Sequence, residues 1–161
     1  MTAHFDKLLP VLVRGGIEFI LIGGVAAVVH GSARVTYDVD ICYSRASENI
    51  AGLVHALEPH APYLRGAPPG LPFHWDERTV VHGLNFTLTT ELGDLDLMGE
   101  VIGGGGYADL LPHSIAIEAF GVEFRCIDLP TLIRLKRAAG RPRDFEALAE
   151  LEVLRAAQAA E

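Results

Sequence analysis

The chain has 161 residues, half of them apolar and 21% charged, and its formal net charge is −8. A chain of this length and composition is expected to fold as one globular domain with a substantial core. The negative charge argues against a broad nucleic-acid-binding surface, although basic residues cluster late in the chain, between Arg134 and Arg143.

The sequence contains no apolar run of the length that a membrane span requires. Residues 1–10 lack the basic-then-apolar layout of a secretion signal. Cys42 and Cys126 are isolated and have no CxxC spacing, which indicates reduced thiols. Together these features predict a cytoplasmic protein.

The first predicted element is a helix over residues 2–15. Its apolar residues Phe5, Leu8, Leu9 and Leu12 recur at helical spacing, and the glycines at 15 and 16 end the pattern. Pro10 bends or interrupts this helix.

The next predicted elements are a strand over residues 17–22, a short helix, and a second strand from Val35 to Cys42. The second strand contains Asp38 and Asp40, whose side chains point to the same face while Val39 and Ile41 point to the core. Two like charges on one face repel each other, so folding alone gives no reason for this pair. A divalent cation such as Mg²⁺, which prefers carboxylate oxygens, would remove the repulsion.

The glycine pair Gly23 and Gly24 lies between the first strand and the short helix. A helix that starts at about Gly24 presents unpaired backbone N–H groups, which favour an anion such as a phosphate. Glycine also lets a phosphate approach the backbone closely. Arg34 and Thr36 precede the carboxylate pair, and Arg34 either reaches a triphosphate or is an ordinary surface arginine.

A second long helix is predicted over residues 44–60, with Ser47 and Glu48 at its start. Residues 59–72 contain five of the nine prolines and predict a loop. The side chains in and after this loop either shape a substrate pocket or cover an edge of the core. They are Arg65, His74, Trp75 and Arg78.

Residues 84–90 and 93–98 alternate apolar and polar side chains and predict a hairpin. In its second strand Leu95 and Leu97 point inward, while Asp94 and Asp96 lie on the opposite face. Residues 101–109 contain four consecutive glycines and predict a mobile loop near the site, in which Tyr107 packs the loop down or stacks on a base.

Strands over residues 114–119 and 121–127 form a further hairpin, and Asp128 caps a helix that ends at Gly140. The last helix starts at Pro142, with apolar positions at Phe145, Leu148, Leu151 and Leu154. The predicted fold class is α/β (α+β in stricter language): a mixed, mostly antiparallel sheet flanked by helices. The predicted single domain spans residues 1–161, with a core at about 15–128 and a C-terminal helical pair at about 129–160.

The order of a glycine pair, a short helix and Asp-x-Asp on a strand resembles the polymerase-beta-like nucleotidyltransferase superfamily. The fuller stretch GGVAAVVHGSARVTYDVDI is similar to bacterial members related to the AbiEii-type toxins, as are GDLDLM, GGGGYADLL and LIRLKRAAGRPRD. The resemblance spans about residues 17 to 150. It implies the nucleotidyltransferase fold and a third carboxylate from a strand beside the first two.

The resemblance implies that Asp38, Asp40 and Asp96 are catalytic and hold two Mg²⁺ ions, with Mn²⁺ as a substitute. One ion would lower the pKa of an incoming hydroxyl and the other would bind the triphosphate. Asp94 is on the same face as Asp96 and is the rival third carboxylate. In the resembled group Lys136 contacts the nucleotide phosphates, and Asp144 orients Lys136 or the base. The nucleotide-binding residues implied in this chain are Gly23, Gly24, Arg34, Thr36, Lys136 and Asp144.

The predicted activity is the Mg²⁺-dependent transfer of a nucleoside monophosphate from an NTP to an acceptor hydroxyl. The acceptor is RNA (tRNA among the candidates), a protein or a small molecule. The resemblance also allows a role in a toxin–antitoxin system with a cognate partner. The alternative is a non-catalytic nucleotide-binding or partner-binding module on the same fold. The intact acid trio favours catalysis, whereas a chain too short for an evident acceptor-binding domain favours a partner or a homodimer.

Overall fold

The computed structural model of the protein describes residues 4–160. Their strands form one seven-stranded sheet. In chain order the strands are β1 (Phe19–Ile22), β2 (Asp38–Tyr43), β3 (Tyr63–Leu64), β4 (Asn85–Thr90), β5 (Gly93–Met98), β6 (Ser114–Ala119) and β7 (Val122–Ile127). Their order across the sheet is β3-β4-β5-β2-β1-β7-β6. The β1/β7 and β2/β5 pairs are parallel and the others antiparallel, so the predicted mixed, mostly antiparallel sheet is confirmed.

Helices flank this sheet, as predicted. They are α1 (Phe5–Arg14), α2 (Gly23–Val29), α3 (Ser47–Leu57), α4 (Glu77–His82), α5 (Tyr107–Leu110), α6 (Leu129–Ala139) and α7 (Pro142–Ala159). Helix α3 contacts α1 and α4, whereas α6 contacts α2 and α7. Short 3₁₀ turns follow α3 and α5. No helix among residues 4–160 is long and apolar enough to cross a membrane.

The centre of the sheet separates an apolar face from a face that contains carboxylates. Val39 and Ile41 of β2 and Leu95 and Leu97 of β5 are fully buried, as the alternation predicts. The neighbouring positions on the other face of these strands are aspartates, which are only partly buried. The fold therefore places polar groups on one central face, where α6 and α7 can pack over them.

The second central strand begins three residues later than predicted, at Asp38 rather than Val35. Val35 and Tyr37 are 75% and 63% exposed. The reason is the lack of a partner strand, because pairing with β5 begins where Asp38 meets Asp94, next to the first residue of β5. An extended segment without hydrogen-bonded neighbours is not a strand.

The helix predicted over residues 44–60 is shorter, Ser47–Leu57, and Ser47 does not cap it. The buried side chain of Asn49 explains the later start. Its amide accepts from Glu18 N (2.7 Å) and donates to Glu18 O (3.0 Å) and Ser44 O (2.8 Å). These bonds join α3 to the start of β1 and hold residue 44 outside the helix.

The four consecutive glycines at 103–106 lie in a tight turn that packs on α6. A Cβ at Gly103 would lie 2.4 Å from Ala138 Cβ, and one at Gly104 would lie 2.6 Å from Leu135 Cδ2. The turn is closed by a bridge between Val101 and Gly105. Close packing therefore accounts for glycine here, whereas the sequence predicted a mobile loop.

The last helix packs Leu148, Leu151 and Leu154 against the core, as the apolar spacing predicts, but not Phe145. Phe145, expected to be buried, is 61% exposed, whereas Asp144, Ala147 and Leu151 are buried. The buried Asp144 is paired with Lys136 of α6 and with Arg141. In the first turn of the helix a paired charged residue, rather than Phe145, therefore faces the domain.

The predicted cap of α6 is confirmed, because Asp128 Oδ1 accepts a hydrogen bond from Thr131 N at 2.8 Å. We expect Asp128→Ala to lower the free energy of unfolding by about 1 kcal/mol, the usual cost of losing an N-cap. Urea unfolding measures this change. Asp128→Asn keeps the acceptor oxygen and is the control, and an equal loss in both variants would contradict the capping role.

Candidate active site

Three carboxylates converge at the centre of the sheet. Strands β2 and β5 are parallel and in register, with Asp40 opposite Asp96 and Asp38 opposite Asp94. One carboxylate oxygen from each of Asp38, Asp40 and Asp96 lies within 4.8 Å of the other two. We call these three residues the acid trio. Their separation allows one cation to contact all three, and carboxylate oxygens are ligands that Mg²⁺ and Mn²⁺ prefer.

The acid trio is electrostatically unfavourable without a cation. Burial, followed by a hydrogen bond and charge repulsion from Asp96, raises the pKa of Asp38 from 3.8 to about 6. Burial is also the main reason why the pKa of Asp40 is well above its ordinary value, and Asp96 and Asp38 add to the effect. The Gly24 N–H opposes this shift. The folded chain therefore makes the ionised forms of Asp38 and Asp40 less favourable than they are in water, at a position where a divalent cation would favour them.

Arg65, which directly follows the two-residue strand β3, contacts the carboxylates of β2 and β5. Its Nη2 lies 2.9 Å from Asp96 Oδ1, its Nε 3.3 Å from Asp94 Oδ2, and its Nη1 4.0 Å from Asp38 Oδ2. Asp96 Oδ1 and Arg65 Nε are buried and lack a hydrogen bond of good geometry within the described residues. These two atoms therefore take part in ion pairs but do not form hydrogen bonds. The sequence suggested Arg65 for a substrate pocket and gave no signal for this ion pairing.

The glycine pair lies against the acid trio. Helix α2 begins at Gly23, one residue earlier than expected. Gly23 has a φ of +70°, and a Cβ there would lie 2.1 Å from Asp40 Oδ2. A Cβ at Gly24 would lie 2.6 Å from Thr36 Oγ1. Both positions therefore require glycine, because the first turn of α2 approaches Asp40 and the segment after α2 so closely.

The acid trio opens into a cleft of about 550 Å³ between the sheet and the two C-terminal helices. Gly23 and Gly24 line this cleft. Its walls also include cationic side chains from the segment after α2 and from α6 and α7, and apolar side chains from β5, the glycine turn and α6. The cations are Arg34, Lys136, Arg141 and Arg143, and the apolar group includes Met98, Val101, Ile102, Leu132 and Leu135.

Lys136 lies on the cleft wall and is held by Asp144. Lys136 Nζ is 3.4 Å from Asp144 Oδ1, and Arg141 Nε is 2.9 Å from Asp144 Oδ2. Asp144 is only 2% exposed. Burial opposes its ionisation, but the hydrogen bond from Arg141 and the charge of Lys136 outweigh burial and lower the pKa of Asp144. The arrangement is a buried anion that fixes two cations at the cleft.

Arg34 and Thr36 both line the cleft. Arg34 Nη1 is 3.7 Å from Glu146 Oε2 of α7, at the surface. Thr36 Oγ1 donates to Asp38 O at 3.1 Å, which ties this segment to the start of β2. Arg34 thus has both a surface ion pair and a position at the cleft, which fits a surface arginine as well as an arginine that reaches a triphosphate.

The other side chains suggested for a pocket near residue 75 lie elsewhere. Trp75 Nε1 donates to Val54 O of α3 at 3.0 Å, and its ring packs against the core. His74 and Arg78 do not line the cleft described above. His30 Nε2 lies 2.7 Å from Ile127 O, so this side chain is held by a backbone carbonyl. Glu150 also lines the cleft and accepts from Ser32 Oγ (2.5 Å) and Ala33 N (3.1 Å); it was not predicted, because no local pattern relates α7 to this segment.

Comparisons with known proteins agree with this geometry at the level of the fold. No protein-family model matches the chain, and no curated protein matches it in sequence. Among solved structures, the lincosamide antibiotic adenylyltransferase LnuA with bound lincomycin is similar, with a TM-score of 0.63 and 15% identity over 94% of this chain and 96% of LnuA. A Thermotoga maritima protein assigned as a nucleotidyltransferase is also similar, with a TM-score of 0.55 and 14% identity over 89% of this chain and 91% of the Thermotoga protein. The chain has the fold of these proteins.

The raised pKa of Asp38 predicts a stability effect that depends on pH. Below about pH 4 this carboxyl is protonated in both the folded and the unfolded chain, whereas above pH 6 its burial costs folding energy. We therefore expect Asp38→Asn to stabilise the metal-free protein at pH 7.5, with a gain that shrinks as pH falls towards 4. Urea unfolding in EDTA at several pH values measures this. The exposed Asp6→Asn is the control, and a destabilised Asp38→Asn at pH 7.5 would contradict the prediction.

Proposed function

We propose that the protein transfers a nucleoside monophosphate from an NTP to an acceptor hydroxyl, with Mg²⁺ or Mn²⁺ as cofactor. The observation that supports this most strongly is the position of the acid trio. Three partly buried carboxylates with oxygens within 4.8 Å of one another lie beside the Gly23–Gly24 turn. The same cleft is lined by Lys136. Anionic phosphates and cations can therefore meet at one place.

The acid trio fits divalent metal ions. Its ligands are oxygens only, and burial together with the neighbouring carboxylates raises the pKa values of Asp38 and Asp40, an effect that a bound cation would oppose. Asp38, Asp40 and Asp96 would hold the ions, two in number by the family resemblance. When bound, they would lower the pKa of the acceptor hydroxyl and neutralise charge on the triphosphate.

Residues of the chain itself would bind the phosphates, neutralise charge and accept the proton. Backbone N–H groups at Gly23 and Gly24 would bind the β- and γ-phosphates, assisted by Arg34 and Thr36. Lys136, oriented by Asp144, would neutralise charge as pyrophosphate leaves. Asp96 would accept the hydroxyl proton while the acceptor oxygen forms its bond to the α-phosphorus.

A small molecule is the acceptor class to test first. The cleft of about 550 Å³ has an apolar wall and is of a size that suits a small ligand. LnuA, which has the same fold, is named for the adenylylation of a lincosamide. RNA, including tRNA, and protein side chains are the other acceptors to be tested.

The biological setting is proposed from the sequence alone. The similarity to the AbiEii-related bacterial group supports a toxin–antitoxin role with a cognate partner. The isolated cysteines support a cytoplasmic location.

Transfer of label from an NTP tests the activity. The protein is incubated with each α-labelled NTP, Mg²⁺, and a lincosamide, total RNA or a protein lysate. We expect one acceptor to become labelled, and Asp40→Asn to lower the rate by at least about a hundredfold, because it removes a ligand of the cations that would neutralise charge on the phosphates. Asp6→Asn, an exposed substitution of the same type, should leave the rate unchanged.

Two results would contradict the proposal. One is nucleotide binding that does not depend on Mg²⁺, without transfer to any acceptor, which supports the non-catalytic module. The other is label transfer that persists in Asp40→Asn, which would place the reaction outside the acid trio.

Lys136→Met tests the phosphate contact. Asp144 keeps Arg141 as its partner in this variant, so the buried anion stays paired and the fold should be retained. We expect the KM for NTP to rise about tenfold, as the loss of one charge-assisted contact predicts. Steady-state kinetics measure this, and circular dichroism checks the fold. Lys136→Arg, which keeps the charge, should recover part of the loss, whereas an unchanged KM in Lys136→Met would exclude the contact.

A further inference from the structure

Arg65 is fixed against the back of the acid trio by its own strand contacts. Its backbone N–H donates to Thr87 O at 3.0 Å, and its Nη2 donates to Leu88 O at 2.8 Å. The guanidinium does not line the cleft described above. It therefore contacts the carboxylates from the β4 side and leaves their cleft side free for a ligand.

The guanidinium supplies one positive charge to four carboxylates. Its three ion-pair partners are Asp38, Asp94 and Asp96, and Asp40 lies beside Asp38 and Asp96. Among the ion pairs of residues 4–160, those of Arg65 are the ones that reach the acid trio. A cation bound by the trio would therefore share its ligands with Arg65.

The position of Asp96 does not depend on Arg65. Asp96 lies in the middle of β5, opposite Asp40 on β2 and Thr87 on β4, so hydrogen-bonded strands hold its backbone on both sides. Removing the guanidinium would change the charge around Asp96 more than the position of its backbone. An electrostatic effect is therefore expected to exceed a positional one.

We propose that Arg65 is an internal counter-ion that weakens the binding of a free divalent cation to the acid trio. The inference rests on the proposed function, because it concerns the cation site assigned there. By attracting Asp96 and Asp38, the guanidinium opposes a second cation at the same oxygens. Asp94 is the neighbour that pairs with Arg65 Nε, rather than a third ligand. A weakly held cation then fills the site mainly when the phosphates of the nucleotide supply further ligands.

Binding of Mn²⁺ alone to the metal-free, full-length protein tests this inference. Titration calorimetry, or the electron paramagnetic resonance signal of free Mn²⁺, gives the affinity without any reaction. We expect Arg65→Gln to bind Mn²⁺ at least about tenfold more tightly than the wild type, because a positive charge near the ligands has been removed. Arg65→Lys keeps the charge and should stay within about threefold of the wild type. Arg14→Gln, at an exposed position at the end of α1, has the same net charge as Arg65→Gln and should bind as the wild type does.

Unfolding in urea provides a second readout. Arg65→Gln leaves the carboxylates without their counter-ion, so it should lose stability in EDTA and regain it in Mn²⁺ by more than the wild type does. If Arg65→Gln does not fold, Asp94→Asn is the second variant, and it should fold because it relieves repulsion among the carboxylates. In Asp94→Asn, Arg65 keeps Asp38 and Asp96 as its ion-pair partners, so Mn²⁺ binding should weaken severalfold.

The outcomes separate this inference from the proposed function. Equal or weaker Mn²⁺ binding by Arg65→Gln, or tighter binding by Asp94→Asn, would overturn the counter-ion role while the metal site stands. If neither the wild type nor any Arg65 variant binds Mn²⁺, the inference fails together with the metal-dependent function. Tighter binding by Arg65→Gln that Asp40→Asn abolishes would support both.

Discussion

Repulsion among carboxylates on two adjacent parallel strands is the constraint on which the rest of the site depends. The β2/β5 register places Asp38 beside Asp94 and Asp40 beside Asp96. Partial burial strengthens their repulsion, because the surroundings screen charge less than water does. The protein compensates with Arg65 on one side only. The uncompensated charge faces the cleft, which is the physical reason to expect a cation there.

The C-terminal helices supply charge of the opposite sign on the facing wall. Asp144 is buried between Lys136 and Arg141, and a buried anion of this kind is tolerated only when it is paired. The glycine turn at residues 103–105 packs so closely on α6 that side chains there would displace the helix. The turn thereby sets how near α6, and with it Lys136, lies to the acid trio. An acidic floor and a basic wall form one cleft suited to a substrate with phosphates.

The structural similarities support the fold, whereas the function has to be argued from the site. At 14–15% identity, LnuA and the Thermotoga protein share an architecture with this chain. One fold can serve several activities, so nucleotide transfer is proposed from the acid trio, the Gly23–Gly24 turn and Lys136. These residues come from four elements, β2, β5, α2 and α6, and the sheet register and helix packing bring them together.

Features that depend on short-range geometry could be predicted from the amino-acid sequence. Side-chain alternation predicted the shared face of Asp38 and Asp40 and the buried Leu95 and Leu97, and the local pattern predicted the Asp128 cap. The resemblance to a known superfamily, rather than any periodicity, pointed to Asp96. The pairing of Arg65 with the trio could not be predicted and is seen in the folded chain alone. Strand β3 has two residues and shows no periodic pattern, and its partners lie some thirty positions away. The buried Asp144 likewise depended on tertiary contacts, because the spacing of apolar residues along α7 contains no information about its ion pairs with Lys136 and Arg141.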